Sequence, residues 1–133
     1  WTVRMGSYAY GNPVVACGRV LVGTDIKTLA TDSRFKHSKG GLVKCLDEAT
    51  GKLLWTHSHL CQYSVAYGTG PRVTPTVQAG KVYTLGAMGD LYCLDAATGK
   101  VLRLWDVGVA PYDVVLAGIE LCRDLLGPIG TKV

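Results

Sequence analysis

The chain has 133 residues, of which 48% are hydrophobic and 18% charged, and its formal net charge at pH 7 is +4. This composition excludes a disordered chain and supplies enough apolar side chains for the core of one domain. Lysines and arginines are scattered rather than clustered, so the charge pattern indicates neither a nucleic-acid partner nor an anionic membrane surface. No apolar run approaches the roughly 18 residues of a transmembrane helix, so no membrane span is predicted.

Residues 1–11 are predicted to form the end of a preceding repeat unit and the loop after it. The pattern of residues 1–5 is that of a strand end, and the Gly-, Ser- and Tyr-rich stretch 6–12 is typical of a loop. Because the chain opens on Trp1 rather than on Met, the sequence is interpreted as an internal piece of a longer protein.

Residues 12–73 are predicted to form a unit of four short strands with an inserted loop. The predicted strands are 14–16, 19–23, 42–46 and a fourth that begins at 53. Gly18 separates the first two strands and suits a tight hairpin, because glycine accepts positive φ without penalty. The polar residues 24–40 show little apolar periodicity and are predicted to be a loop, and residues 57–72 form a second loop-like stretch.

Residues 74–110 are predicted to form a second unit that repeats the first. Its predicted strands are 74–77, 81–85, 91–94 and 101–105. Cys45 and Cys93 lie 48 residues apart, whereas Gly18 and Gly80 lie 62 apart, so the first unit carries 14 additional residues between its second and third strands. Such insertions on a repeat scaffold are common places for binding function, since loops vary without harming the core.

Two four-stranded units at this period predict an all-β fold, a partial β-propeller of about two antiparallel blades. The tail 111–133 departs from the repeat. Its residues 113–126 have the apolar spacing of a short C-terminal helix that would end at Gly127 and Pro128, with a buried strand over 114–116 as the alternative.

The turn between the third and fourth strands is the most distinctive part of each copy. It reads Leu-Asp-x-x-Thr-Gly-Lys, followed in the first copy by two apolar residues and Trp55. This run resembles the tryptophan-docking motif of pyrroloquinoline-quinone (PQQ)-like β-propellers, of the quinoprotein alcohol dehydrogenase-like superfamily. The resemblance implies that the Trp of each blade packs on its neighbour. The implied blade-docking residues are Asp47, Thr50, Gly51 and Trp55 in the first copy, and Asp95, Thr98, Gly99 and Trp105 in the second.

The second copy departs from this motif at its tryptophan. Arg103 occupies the expected position and Trp105 follows two residues later. Residues two apart on a strand share a face, so Trp105 is predicted to dock with the help of a bulge or a shift.

The resemblance implies two kinds of function. Some members of the superfamily are quinoprotein dehydrogenases, usually periplasmic, that oxidise alcohols or sugars with PQQ and calcium, and others are cofactor-free scaffolds. The enzymes typically carry adjacent cysteines and an acidic calcium cluster, which this sequence lacks, so no catalytic residue is carried over. The first hypothesis is therefore a non-catalytic scaffold or binding module, partnered by other blades or a protein and located outside the cytoplasm. The alternative is a fragment of a PQQ- and calcium-dependent dehydrogenase.

A metal site is the third hypothesis. His57, His59 and Cys61 lie at alternate positions, which face the same way on a strand, and His37 in the inserted loop would be a fourth ligand. A plain polar strand end explains the same pattern and is favoured. The five cysteines are odd in number and show no Cys-x-x-Cys pair, so neither a zinc ribbon nor a disulfide framework is predicted, and Cys45 and Cys93 are expected to be buried.

Two further stretches suggest ligand contacts. The Gly-Thr-Gly-Pro run before Arg72 resembles an anion-binding loop with Arg72 as donor, although an ordinary loop is favoured. Aromatic side chains in the two Gly-rich connections could stack a sugar or pack on one another; these are Tyr8, Tyr10, Tyr63 and Tyr67. The inserted loop carries an excess of basic residues, which suits a weak anionic-partner site or simply a solvated loop; they are Lys27, Arg34, Lys36, His37 and Lys39.

Overall fold

The computed structural model describes residues 1–36, 38, 40–59, 61, 69–71 and 73–106, and these form two antiparallel sheets of four strands each. The first sheet, here the first blade, contains β1 (Val14–Ala16), β2 (Arg19–Asp25), β3 (Gly41–Asp47) and β4 (Leu53–His59). The second blade contains β5 (Thr76–Gln78), β6 (Lys81–Leu85), β7 (Asp90–Asp95) and β8 (Val101–Asp106). In both blades the strands are neighbours in chain order, so the predicted four-stranded antiparallel units are confirmed. The predicted tail helix over 113–126 lies outside the described residues.

The hairpin between the first two strands has the same conformation in both blades. Its two central residues, Cys17 and Gly18 or Ala79 and Gly80, all have positive φ, between 49° and 73°. Two consecutive residues with positive φ are the mark of a type I′ turn, whose twist matches that of the flanking strands. The second position is glycine in both copies, whereas the first is occupied by a residue with a Cβ atom.

A β-bulge interrupts the pairing of the last two strands at equivalent positions. Cys45 pairs with Trp55 and Leu46 with Leu53, so Leu54 is the extra residue, and Leu102 is the extra residue in the second blade. Both leucines are exposed, at 42% and 47%.

The main core lies between the two blades. Leu21, Val43 and Trp55 of the first blade form one buried cluster with Val82 and Leu94 of the second. Neither sheet could bury this face alone, because a single twisted sheet has nothing to cover it. The contact therefore joins the two copies into one packed unit.

The inserted segment packs against the first blade over residues 26–36 rather than projecting into solvent. It contains two short 3-10 helices, Lys27–Leu29 and Ser33–Phe35. Leu29 and Phe35 are 1% and 3% exposed and form a buried cluster with Leu42 of β3. The prediction of a solvated loop is wrong for residues 26–36, because Leu29 and Phe35 are buried. In the sequence these two side chains stand apart among polar residues, and their spacing shows no regular period.

The N-terminal residues run alongside the first blade. The backbone N–H groups of Gly6 and Ser7 donate to the side chains of Thr24 and Asp25, at 2.9 and 2.6 Å. Both acceptors are buried at the end of β2. The segment predicted to belong to a preceding unit is therefore held by hydrogen bonds to the next one. No helix in the part of the chain that the structure describes is long and apolar enough to cross a membrane.

Candidate functional site

The tryptophans lie at two equivalent contacts, here called seams. In the first seam, between the N-terminal segment and the first blade, Trp1 Nε1 donates to the carbonyl of Glu48 at 2.9 Å. In the second seam, between the two blades, Trp55 Nε1 donates to the carbonyl of Ala96 at 3.0 Å. Glu48 and Ala96 are 48 residues apart, the repeat period, so the same bond is made twice.

A glycine in each acceptor turn allows the indole to approach. A Cβ atom on Gly51 would lie 2.5 Å from the ring of Trp1, and one on Gly99 would lie 2.6 Å from the ring of Trp55. Both glycines also have positive φ, 71° and 73°. The motif glycine therefore meets two demands, since a side chain here would strain the backbone and collide with the indole.

The motif aspartates fold their own turns. Asp47 Oδ1 accepts from the backbone N–H and the hydroxyl of Thr50, at 2.8 and 2.6 Å, and Asp95 does the same with Thr98 at 2.8 Å each. These hydrogen bonds hold the pKa of both carboxyl groups below the ordinary value. Both carboxylates are thus used for local structure, as the side chains of Asx-type turns are.

Trp105 does not occupy a third equivalent contact among the described residues. Its ring packs on Leu91 of its own blade, as Leu85 also does, and the guanidinium of Arg103 lies 5.3 Å from the ring centroid. The bulge at Leu102 matches the one at Leu54, so it does not move Trp105 into the position of Trp55. Docking of Trp105 on a further blade remains a prediction.

The two histidines of the predicted metal site lie in the second seam. The strand β4 continues through His59, beyond the loop start predicted at residue 57, and its alternation buries His57 and His59 on the same face. Burial lowers the pKa of His57 to about 4, with a smaller contribution from His59, and it also lowers the pKa of His59. Both rings are therefore neutral at pH 7.

Each histidine contacts the second blade differently. The His57 ring meets the ring of Tyr92 edge-on, with centroids 4.4 Å apart, and its buried Nε2 has no hydrogen-bond partner in the described part of the chain. His59 Nε2 accepts from the backbone N–H of Ala87 at 3.2 Å, and the ring fits between Gly41 and Gly86. This nitrogen lone pair is consequently engaged by the neighbouring blade.

Only some of the remaining candidate residues lie in the described part of the chain. Within the described ranges, no group of three or more His, Cys, Asp or Glu side chains could hold a metal ion. Cys61 is half-buried and His37 and Arg72 lie outside the described residues, as do Tyr63 and Tyr67. Tyr8 and Tyr10 stack on each other with ring centroids 6.0 Å apart. Cys45 and Cys93 are buried thiols, and burial raises the pKa of Cys45 to about 11.

Lys44 is the residue that sequence reasoning missed. It lies on β3 at the position that Tyr92 occupies in the second copy. Although its side chain ends in a charged group, it is only 2% exposed. Its Nζ donates to the carbonyl of Arg4 in the first seam at 2.7 Å. A lysine inside an otherwise apolar strand was the signal that could have found it, because lysine is almost never fully buried without a partner.

Comparison with known proteins agrees with this architecture. A family model described as outer membrane protein assembly factor BamB, of PQQ-like repeats, matches residues 39–109, more than half of the chain. Among curated proteins no significant match is found. The chain therefore belongs to the family of PQQ-like β-propeller repeat proteins.

Two solved structures show the same fold. BamB from Moraxella catarrhalis is 16% identical with a TM-score of 0.50, and the match covers 73% of this chain and 24% of that one. A quinohemoprotein alcohol dehydrogenase from Comamonas testosteroni is 23% identical with a TM-score of 0.53, covering 77% of this chain and 14% of that one. The chain thus spans less than a quarter of the length of either neighbour, and the predicted partial β-propeller is confirmed.

Proposed function

We propose that this segment is a non-catalytic part of a β-propeller scaffold that binds a protein partner or ligand through its surfaces. The observation that carries the proposal is the use of the polar side chains shared by both copies. The carboxylates of Asp47 and Asp95 each close a turn, and the indole of Trp55 bonds the next blade. The repeated residues thus serve assembly, and this division of labour suits a scaffold.

The family supports the same proposal. Its model is described as an outer membrane protein assembly factor, a description that fits a protein with protein partners. We extend the proposal to an extracytoplasmic, periplasmic location and to the segment boundaries predicted from the sequence, which place the first blade within 12–73 and the second within 74–110.

The alternative function is suggested by the name of the Comamonas testosteroni neighbour. It is a fragment of a quinoprotein dehydrogenase that uses PQQ and calcium to oxidise alcohols or sugars. The described residues do not fit such a calcium ion, because the carboxylates of Asp47 and Asp95 are held in separate turns and no cluster of potential ligands forms among the residues of known position.

A reconstitution assay separates the two functions. The intact protein is incubated with PQQ and Ca²⁺, and reduction of a dye acceptor is followed with an alcohol and with a sugar as substrate. The scaffold proposal expects no reduction above a control without PQQ, and no saturable quenching of tryptophan fluorescence by PQQ. Substrate-dependent dye reduction that requires both PQQ and Ca²⁺ would refute it and establish the dehydrogenase.

A further inference from the structure

A basic pocket lies between the N-terminal segment, the inserted segment and the outer strands of the first blade. Its volume is about 320 Å³, which lies at the lower end of the range for small-molecule sites. The lining includes four cationic residues and three large apolar ones, namely Arg4, Arg34, Lys44, Lys52, Phe35, Leu46 and Leu53. None of the described residues that line it is acidic.

Lys44 is the most buried cation of this pocket and is paired with no carboxylate among the described residues. The ion pair between Arg34 and Asp32 does not include Lys44. Nζ of Lys44 has the carbonyl of Arg4 at 2.7 Å and the ring of Phe35 at 4.6 Å from its centroid. A carbonyl and an aromatic face offset only part of the desolvation cost of a buried charge. Burial accordingly lowers the pKa of Lys44 and nearby Arg34 lowers it further, while the Asp32 carboxylate acts weakly in the opposite direction.

Arg34 places a second cation at the outer side of the pocket. Its Nε and Nη2 both donate to the Asp32 carboxylate, the shortest distance being 2.6 Å, and this pairing fixes the plane of the guanidinium. The Arg34 side chain remains 62% exposed. Nη1 is not used by Asp32, so the guanidinium retains donors for a further acceptor.

The cations proposed to bind the ligand lie where the two copies differ. The position of Lys44 is held by Tyr92 in the second blade, and the segment that carries Arg34 and Phe35 has no counterpart there. The buried cation and the groups that surround it therefore occur together in one copy. A repeat that needed only packing at this position could have kept an aromatic residue, as the second blade does.

We propose that the basic pocket binds a small molecule through an oxyanion group, a carboxylate, sulfate or phosphate, held between Lys44 and Arg34. Charge-assisted hydrogen bonds from these two donors would compensate the buried ammonium group. Phe35 and Leu46 provide an apolar wall for the body of the ligand. This site is independent of whether the protein is a scaffold or an enzyme.

Calorimetric titration of the full chain tests the site. Sodium phosphate, sodium sulfate and sodium glucuronate are each titrated at constant ionic strength, with sodium chloride as the reference, so that the three anion chemistries are distinguished. At least one is expected to bind saturably with one-to-one stoichiometry at millimolar or lower concentration. The absence of binding by all three above the chloride reference would overturn the proposal.

Substitutions then locate the binding. Lys44→Met keeps the stem and removes the charge, and it is expected to weaken binding by about tenfold or more, as loss of a charged hydrogen bond does. Lys100→Met is the matched control, because Lys100 is an exposed lysine in the second blade, and its affinity should equal that of the unmodified chain. Unchanged affinity in Lys44→Met would contradict the assignment.

A second variant keeps the test decisive if Lys44→Met fails to fold. Arg34→Gln alters an exposed side chain whose loss is tolerated by the core, and it is expected to weaken oxyanion binding several-fold. Circular dichroism verifies that this variant folds. An Arg34→Gln chain that folds and binds as tightly as the unmodified chain would refute the proposed pair of donors.

Discussion

Gly99 is restricted by its positive φ and also by the Trp55 ring that packs against it. Gly80, in the β5–β6 hairpin of the same blade, is restricted by its positive φ alone. Both have φ of 73°. A Cβ on Gly99 would lie 2.6 Å from the Trp55 ring, whereas one on Gly80 would meet nothing within 4 Å. Alanine substitutions at the two positions therefore separate the energetic cost of positive φ from the cost of a Cβ atom that collides with the Trp55 ring.

The substitution Gly99→Ala is expected to lower the free energy of unfolding more than Gly80→Ala does. Positive φ costs an alanine about 1–2 kcal/mol at either site, and the collision with Trp55 adds a further cost of roughly 1–3 kcal/mol at Gly99. Urea denaturation followed by tryptophan fluorescence measures both changes. Equal destabilisation by the two alanines would show that the indole does not depend on the absent Cβ.

The strand β4 shows how one element can carry a pH response. His57 and His59 are buried on the same face of this strand and contact the second blade through Tyr92 and Ala87. The pKa of His57 falls to about 4 because of burial, while the unfolded chain keeps the ordinary value near 6.5. The unfolded state consequently takes up a proton at higher pH than the folded state does.

We expect the stability of the chain to be complete above about pH 6.5 and to decrease by about 3 kcal/mol as pH falls to about 4. The lowered pKa of His59 acts in the same direction. Urea denaturation at a series of pH values in this interval provides the measurement. Constant stability across the interval would contradict the burial of these rings.

The variant His57→Phe is the control for that pH series. Phenylalanine keeps a ring against Tyr92 and removes the titrating group, so its stability should vary less with pH over the same interval. Carboxyl groups with lowered pKa, such as those of Asp47 and Asp95, also stabilise the fold less at the acidic end of the pH series. This loss is the same in both proteins. The difference between the two curves therefore isolates His57.

At the scale of the whole molecule, two blades leave a propeller incomplete, and apolar residues remain on the surface of β8. Val101, Leu102 and Leu104 are 42%, 47% and 54% exposed. Within the described ranges β8 pairs only with β7, on one side. An exposed apolar strand with one free edge is a place where a second copy can pair.

We expect the isolated chain to self-associate through β8 and to have marginal stability as a monomer. Leu104→Lys should reduce the associated fraction in sedimentation velocity, because a charge opposes edge-to-edge pairing. Leu54→Lys, on the exposed bulge of β4, is the matched control and should leave association unchanged. A chain that remains monomeric at high concentration and melts cooperatively at high temperature would contradict this expectation.

The repeat itself was predictable because its interactions are local. Each hairpin turn and each Asp-Thr-Gly turn is formed by residues close in sequence, so two copies 48 residues apart were enough to indicate the strands and their order. The end of β4 is predicted too early, because His57 and His59 resemble the start of a polar loop. The strand continues through His59. Their burial depends on the second blade, which a local pattern does not reveal.

The class of fold, the four-stranded blades and the motif that places Trp55 on its neighbour follow from the order of residues alone. Which polar residues are buried depends on tertiary contacts, and so does the packing of Trp105 on its own blade. Lys44 reaches the carbonyl of Arg4, 40 residues away, and Phe35 from the inserted segment covers it. Such contacts depend on how separate segments meet, and the energetic cost of burying a charge appears only when those neighbours are known.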